Sequence, residues 1–140
     1  MSLYDVNSNE NTLDSRDIIL RHEELEERRE FWALPEAERE AEDDTVVYSE
    51  GPLDETEAEE LAELERVIHQ GESFSDWSYG VTLIRDSYFE DYAREVHEDI
   101  NGRETASGWP YSYIDWEAAA NALLMDYSDI EFEGVTYWCR

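Results

Sequence analysis

Acidic residues recur along this chain at helical spacing, and a row of carboxylates on a rigid rod can imitate a row of phosphates. Glu23, Glu26, Glu27 and Glu30 form one such row, Glu55, Glu59 and Glu63 a second, and Asp91, Glu95, Glu98 and Asp99 a third. Helical neighbours three and four residues apart have Cβ atoms about 5–6 Å from one another. Successive phosphates along a DNA strand stand about 6–7 Å apart once helical rise is allowed for. A basic cleft built for DNA would meet anions at nearly the spacing it is shaped to hold. Any single row also fits an ordinary solvated helix face. The case rests on the total: 38 Asp and Glu against ten Arg, with no Lys, for a formal net charge of -28 over 140 residues.

A charge of about 2–8 units suffices to keep a small domain soluble, and a larger surplus works against the compact state by self-repulsion. Duplex DNA carries one charge per roughly 1.7 Å of axis, so this surplus equals that of roughly 48 Å of duplex. A folded chain of this length has a radius of gyration of about 14 Å. Such a protein is repelled by DNA and drawn to surfaces that hold DNA. Three other origins of acidity compete: a halophilic surface, a GC-rich genome that replaces Lys by Arg, and disorder. Disorder of the whole chain conflicts with 41% hydrophobic residues and with five Trp, nine Tyr and four Phe.

The same residues were tested for catalytic and metal chemistry. His97-Glu98 lacks the second histidine of a zinc-protease helix, and His22 and His69 lie far off in sequence. Asp129, Glu131, Glu133 and Gly134 fit the first positions of a calcium loop, but the twelfth is Arg140 where a bidentate carboxylate is needed. Pairs such as Asp86 and Glu90 arise by chance among so many acids. There is no nucleophile elbow, phosphate-cradling loop or dinucleotide fingerprint. The expectation is a non-enzyme with no catalytic residue, metal or cofactor. Without basic patches, direct nucleic-acid binding is not expected. An anionic membrane would repel the chain, no apolar run reaches about 18 residues, and Met1 to Glu10 lacks the pattern of a secretory signal. The single Cys139 fits a reducing compartment, so a cytoplasmic location is expected.

The elements that must carry these rows divide near Gln70, with 23 acids and 6 arginines before it and 15 and 4 after. The periodicity predicts a helix from Leu13 to about Ala33, capped by Asp14 or Ser15. Its stripe is Ile18, Leu25 and Trp32, flanked by Ile19 and His22, with Glu24 and Arg28 as an i,i+4 pair. Pro35 to Asp44 reads as a short charge-rich helix or loop, and Gly51-Pro52 breaks the chain. A further helix runs from about Asp54 to His69, with Leu61, Leu64 and Ile68 on one face and Gly71 as its stop. These helices suggest an acidic antiparallel hairpin over residues 1–70, whose thin stripe also leaves homodimerisation open.

Residues 71–140 read as an α+β module. Gly80 to Ile84 suggests a strand. Ser87-Tyr88-Phe89-Glu90 has capping-box spacing, before a helix with Phe89, Tyr92, Ala93, Val96 and Ile100 on one face and Asn101-Gly102 as its end. After a loop over 103–113, Asp115 caps a helix that directs Trp116, Ala119, Ala120, Leu123 and Tyr127 inward. Ile130 and Phe132, a Glu133-Gly134 turn and Val135 to Cys139 form a closing hairpin. The expected architecture is α+β: an acidic helical hairpin, then two helices packed on a short antiparallel sheet.

Leu83-Ile84-Arg85-Asp86-Ser87-Tyr88-Phe89-Glu90-Asp91-Tyr92, Ile114-Asp115-Trp116-Glu117-Ala118 and Val135-Thr136-Tyr137-Trp138 resemble a group of small acidic proteins of phages and prophages. Ser15-Arg16-Asp17-Ile18-Ile19 and its Glu-rich helix resemble the same group. The last 60 or so residues are loosely similar to ArdA-type antirestriction proteins, DNA mimics that occupy the DNA groove of type I restriction enzymes. ArdA-type proteins are longer, and no diagnostic motif is shared. The resemblance implies a mobile-element origin and action inside a host cell. It implies an inhibitor whose partner is a basic DNA-binding protein, either a restriction enzyme or a CRISPR effector complex. The alternative is an acidic structural or adaptor protein that dimerises through its N-terminal helices.

Overall fold

A short strand at the start of the chain pairs with one from its middle, and both belong to the sheet that the C-terminal hairpin completes. The computed structural model describes residues 6–41, 51–102 and 108–140. In chain order the elements are β1 (Thr12–Asp14), α1 (Ser15–Ala33), α2 (Glu36–Ala41), α3 (Glu55–Gly71) and β2 (Thr82–Arg85), followed by α4 (Phe89–Asn101), α5 (Trp116–Leu123), β3 (Ser128–Phe132) and β4 (Val135–Cys139). The described residues are thus α+β, five helices with one four-stranded antiparallel sheet of order β1-β2-β4-β3.

Local chemistry explains where most elements begin and end. Asp14 accepts from the Arg16 amide and caps α1. Asp54 and Glu57 form a reciprocal capping box at α3, and Asp115 accepts from the Ala118 amide at α5. Gly102, with φ of 90°, ends α4. The β3–β4 turn places Glu133 and Gly134 at φ of 52° and 78°, the pair of left-handed residues that a two-residue hairpin needs, and Phe132 pairs with Val135.

Adjacent strand residues point to opposite faces of a sheet. Leu83, Ile130, Phe132, Tyr137 and Cys139 join one buried cluster with Ile18, Leu25, Leu61, Leu64, Val67 and Trp77. Ile84 joins a second with Phe89, Ala93 and Ala120, against which Trp138 and Tyr127 pack. The sheet is therefore sandwiched, with α1 and α3 on one side and α4 and α5 on the other. Residues from both sides of Gln70 share the first cluster.

Several expectations are corrected. The first residues of the expected Leu13 helix are strand β1, which pairs Leu13 with Leu83, and the helix starts at Ser15. The Gly80 to Ile84 strand begins at Thr82. Gly71 does not stop α3 through a left-handed turn. It is the last helical residue, and a Cβ there would lie 2.4 Å from the Trp77 ring, so glycine is required by close packing. The Ser87 capping box does not form, because Asp86–Tyr88 make a 3₁₀ turn and Ser87 bonds Arg85 instead. Ile100 is 75% exposed, since α4 extends past the end of α5 that covers its apolar face. Of the residues expected inward on and after α5, only Ala120 is fully buried, and Trp116, Ala119, Leu123 and Tyr127 are half-buried. The expected helix or loop to Asp44 is helical over Glu36–Ala41, and the remainder lies outside the described residues.

Ser15 joins these layers. It is fully buried, its amide donates to the Val81 carbonyl, its hydroxyl donates to the Trp77 carbonyl at 2.7 Å, and it accepts from the Val81 amide at 2.6 Å. Ser15→Ala orphans a buried carbonyl and a buried amide, each costing roughly 1–3 kcal/mol. A clearly lowered denaturation midpoint is expected for Ser15→Ala. A midpoint equal to that of the parent would show that the hydroxyl carries no such load.

Candidate functional site

The arrangement of positive charge decides what the acidic surface presents. Arg21 and Arg28 lie on the buried face of α1 between Ile18 and Leu25 and just beyond it, only 9% and 7% exposed. Arg21 grips Glu60 of α3 through Nε and Nη2 at 2.8 and 3.0 Å and donates to Glu24 at 2.8 Å. Arg28 pairs with both oxygens of Glu57 and donates to the Gly51 carbonyl at 2.7 Å. Glu24 accepts from Arg21 and Arg28 holds Glu57, because a buried guanidinium needs several acceptors and α3 supplies them. Arg21 meets Glu60 and Arg28 meets Glu57, so the two guanidiniums tie α1 to α3.

Six further arginines are also engaged within the chain. Arg16 pairs with Asp14, Arg66 with Glu63, and Arg29 with Glu26 and Glu65. Arg85 donates to the Ser8 carbonyl and to Ser87. Arg94 lies over the Trp116 ring and Arg140 over Tyr127, each at 5.3 Å. Arg21 and Arg28 carry their charge inside the α1–α3 layer, while Arg16, Arg29 and Arg66 pair with carboxylates at the surface.

The three expected rows fall on both sides of the sheet. On α1, Glu23, Glu27 and Glu30 are exposed, while Glu26 is half-buried beside His22 and Arg29. On α3, Glu55 and Glu59 are exposed, but Glu63 is half-buried and holds Arg66 and the Glu133 amide, the latter at 2.7 Å. Glu63 therefore anchors the β3–β4 turn. On α4, across the sheet, Asp91, Glu95 and Asp99 are exposed and Glu98 is half-buried. The α1 and α3 rows share a layer, and the α4 row belongs to the opposite one.

A groove of about 610 Å³ runs between α3 and the β3–β4 turn, lined by Val6, Asn7, Thr56, Glu59, Glu60, Glu63, Arg66 and Glu133. Glu60 and Glu63 are held by Arg21 and Arg66, and Glu133 accepts from the Ser8 hydroxyl at 3.0 Å. These bonds make it a polar joint between elements. Among the described residues no group of three or more His, Cys, Asp or Glu side chains is placed to hold a metal ion. Burial pushes the Cys139 thiol up to about 12, so it stays protonated and unreactive at neutral pH. No described helix is long and apolar enough to cross a membrane.

Sequence reasoning missed Arg21 and Arg28 as interior residues. Their signal was present: Ile18, Arg21, Leu25 and Arg28 repeat at spacings of three and four, so arginine occupies alternate seam positions. It also missed the exposure of Ile100, Trp109 and Tyr113, which stand 75%, 83% and 80% accessible. No protein-family model, no curated protein and no solved structure matches the chain.

The clamps set a pH dependence. The Arg28 hydrogen bond holds the Glu57 carboxyl below the ordinary glutamate value, which is about 4.3. A lowered folded-state value contributes stability that is complete above the unfolded value and is lost as pH falls through the folded one. Glu57→Gln keeps a side chain able to serve the capping box, so it removes mainly the charge. At neutral pH it should cost about 1.5–3 kcal/mol, the range for hydrogen bonds to charged groups. Melts of parent and variant should converge as pH drops below about 4. A gap that persists unchanged in acid would show that the ion pair is not its source.

Proposed function

We propose that this protein is a DNA-mimic inhibitor of a host DNA-targeting defence enzyme, of restriction or CRISPR type, and that it occupies that enzyme's basic DNA cleft. One observation carries the reading. Eight of the ten arginines have partners within the chain, which leaves a formal charge of -28 carried by carboxylates, many of them exposed on helical rods. In this reading α1 and α3 act as an antiparallel acidic hairpin, cross-linked from inside by Arg21 and Arg28, that holds Glu23, Glu27, Glu30, Glu55 and Glu59 in fixed rows. The site of action is the cytoplasm of the host cell, and no enzymatic step, cofactor or metal enters the mechanism.

The mechanism is electrostatic. Long-range attraction steers the inhibitor to the cleft, and rigid carboxylates then replace phosphates on the cleft's arginines and lysines. Rigidity matters, since a partner pays less ordering entropy against preformed rows than against a flexible acidic tail. The adaptor alternative requires an apolar stripe left open on the N-terminal helices. Ile18, Leu25, Leu61 and Leu64 are instead fully covered within one chain, which favours the mimic.

The test is binding to a purified type I restriction complex and to a CRISPR effector complex, in competition with duplex DNA across a salt series. Affinity should fall steeply with salt, and DNA and inhibitor should exclude one another. Glu23→Gln, Glu27→Gln and Glu30→Gln together, or Asp91→Asn, Glu95→Gln and Asp99→Asn together, should flatten the salt dependence in at least one case. Binding to neither complex, or binding alongside DNA, would sink the proposal for those targets.

A further inference from the structure

Past the end of α5, the last turn of α4 and the segment leading into α5 expose Ile100, Trp109 and Tyr113, all at least three-quarters accessible. They are gathered rather than scattered. The Ser112 amide bonds the Gly108 carbonyl and the Tyr113 amide bonds Pro110, closing a compact turn. Tyr111 of that turn lies 5.4 Å from His97 on α4, one helical turn before Ile100. His97 in turn stacks edgewise on Trp116 at the start of α5. The outer residues are thus held by a packed aromatic base. Gathered apolar exposure of this kind marks an interaction surface, and Trp and Tyr are the side chains that most often anchor one.

We infer that this tip of the α4–α5 layer is a docking face for a basic protein surface, with Trp109, Tyr113 and Ile100 as anchors and the α4 carboxylates as its charged rim. The inference rests on the reading that the partner is basic, and it names α4 as the contacting row. Charge complementarity selects the occupant. Asp91, Glu95 and Asp99 stand exposed on the same helix, and Asp99 adjoins Ile100. A guanidinium can stack on an indole or phenol ring while bonding a neighbouring carboxylate. The molecule already uses this chemistry internally, with Arg94 over Trp116 and Arg140 over Tyr127. Among the described residues no arginine stands over Trp109 or Tyr113. A second copy brings a further charge of -28 to the contact, and an anionic bilayer or nucleic acid is repelled likewise.

The test uses the full chain, a variant with Ile100→Ser, Trp109→Ser and Tyr113→Ser, an α4 rim variant with Asp91→Asn, Glu95→Gln and Asp99→Asn, and a control variant of equal charge change with Glu36→Gln, Glu38→Gln and Glu72→Gln, exposed acids outside the rows. Probes are a purified type I restriction complex and a synthetic amphipathic helix with arginine on one face and leucine on the other. The anchor variant should bind at least tenfold more weakly through faster dissociation. The rim variant should mainly slow association and flatten its salt dependence. The control variant should stay within threefold of the parent. Because the anchors are exposed, the melting temperature should be unchanged, and Trp109→Phe with Tyr113→Phe should keep most of the affinity. An anchor variant that binds both probes as the parent does, a parent that binds neither, or self-association through the tip would overturn the inference. Mimicry would survive the first of these if DNA competition held. Conversely, anchor-dependent capture of the peptide without binding to the restriction complex would keep the docking face and remove that complex as the target.

Discussion

Two acidic helices packed side by side repel one another unless something positive lies between them. In this chain that something is the pair Arg21 and Arg28, inserted at seam positions where leucine would be usual and held by Glu60 and Glu57 of the facing helix. A buried ion pair is not in itself a strong source of stability, because desolvation offsets most of the attraction. Here the comparison differs from that of an ordinary core. Replacing the arginines with apolar residues would leave α3 with two more uncompensated carboxylates in an already anionic layer. Their specific effect is to fix the register of α1 against α3, since each guanidinium has only one place where a carboxylate meets it squarely.

The burial of Arg21 and Arg28 has a second consequence. Two guanidiniums are neutralised beneath the surface, so they do not offset the exposed carboxylates of α1 and α3. The sheet then partitions those faces. Leu83 and Ile84, neighbours on β2, enter different cores, and this alternation sends the α1 and α3 rows to one side and the α4 row to the other. Rows that look equivalent in sequence therefore face opposite directions, and a single flat cleft engages one layer at a time.

Much of this was legible beforehand. The closing hairpin, the caps at Asp14 and Asp115, and the end of α4 at Gly102 follow from side-chain chemistry within a few residues, which a single sequence displays directly. The α+β class followed from the same signals. What escaped depended on distant partners. β1 is three residues long and exists because Leu13 finds Leu83, some seventy positions away. Gly71 looked like a helix stop because glycine often is one, and only the Trp77 ring reveals the packing reason. Ser87 had the spacing of a cap but was claimed by Arg85. Of the candidate rows, Glu63 was absorbed into the scaffold because the hairpin turn folds back onto α3. Arginine at seam positions 21 and 28 gave no apolar signal, because charge is usually outside.

An anionic field of this size attracts any basic surface, so charge alone provides speed without selectivity. Neutralising partners of many kinds would compete for it, and salt would weaken all of them together. Selectivity needs contacts that work only at short range and only in one geometry. Aromatic side chains mounted on a packed base supply such contacts at little entropic cost, since each has two side-chain torsions to fix. Trp109 and Tyr113 are exposed on either side of Tyr111, whose ring packs against His97 of α4. If phosphate imitation were the entire mechanism, exposing them would bring solubility costs with no return. Their placement at the edge of the α4 row therefore argues for a division of labour, in which the carboxylates govern approach and the rings govern how long the partner stays.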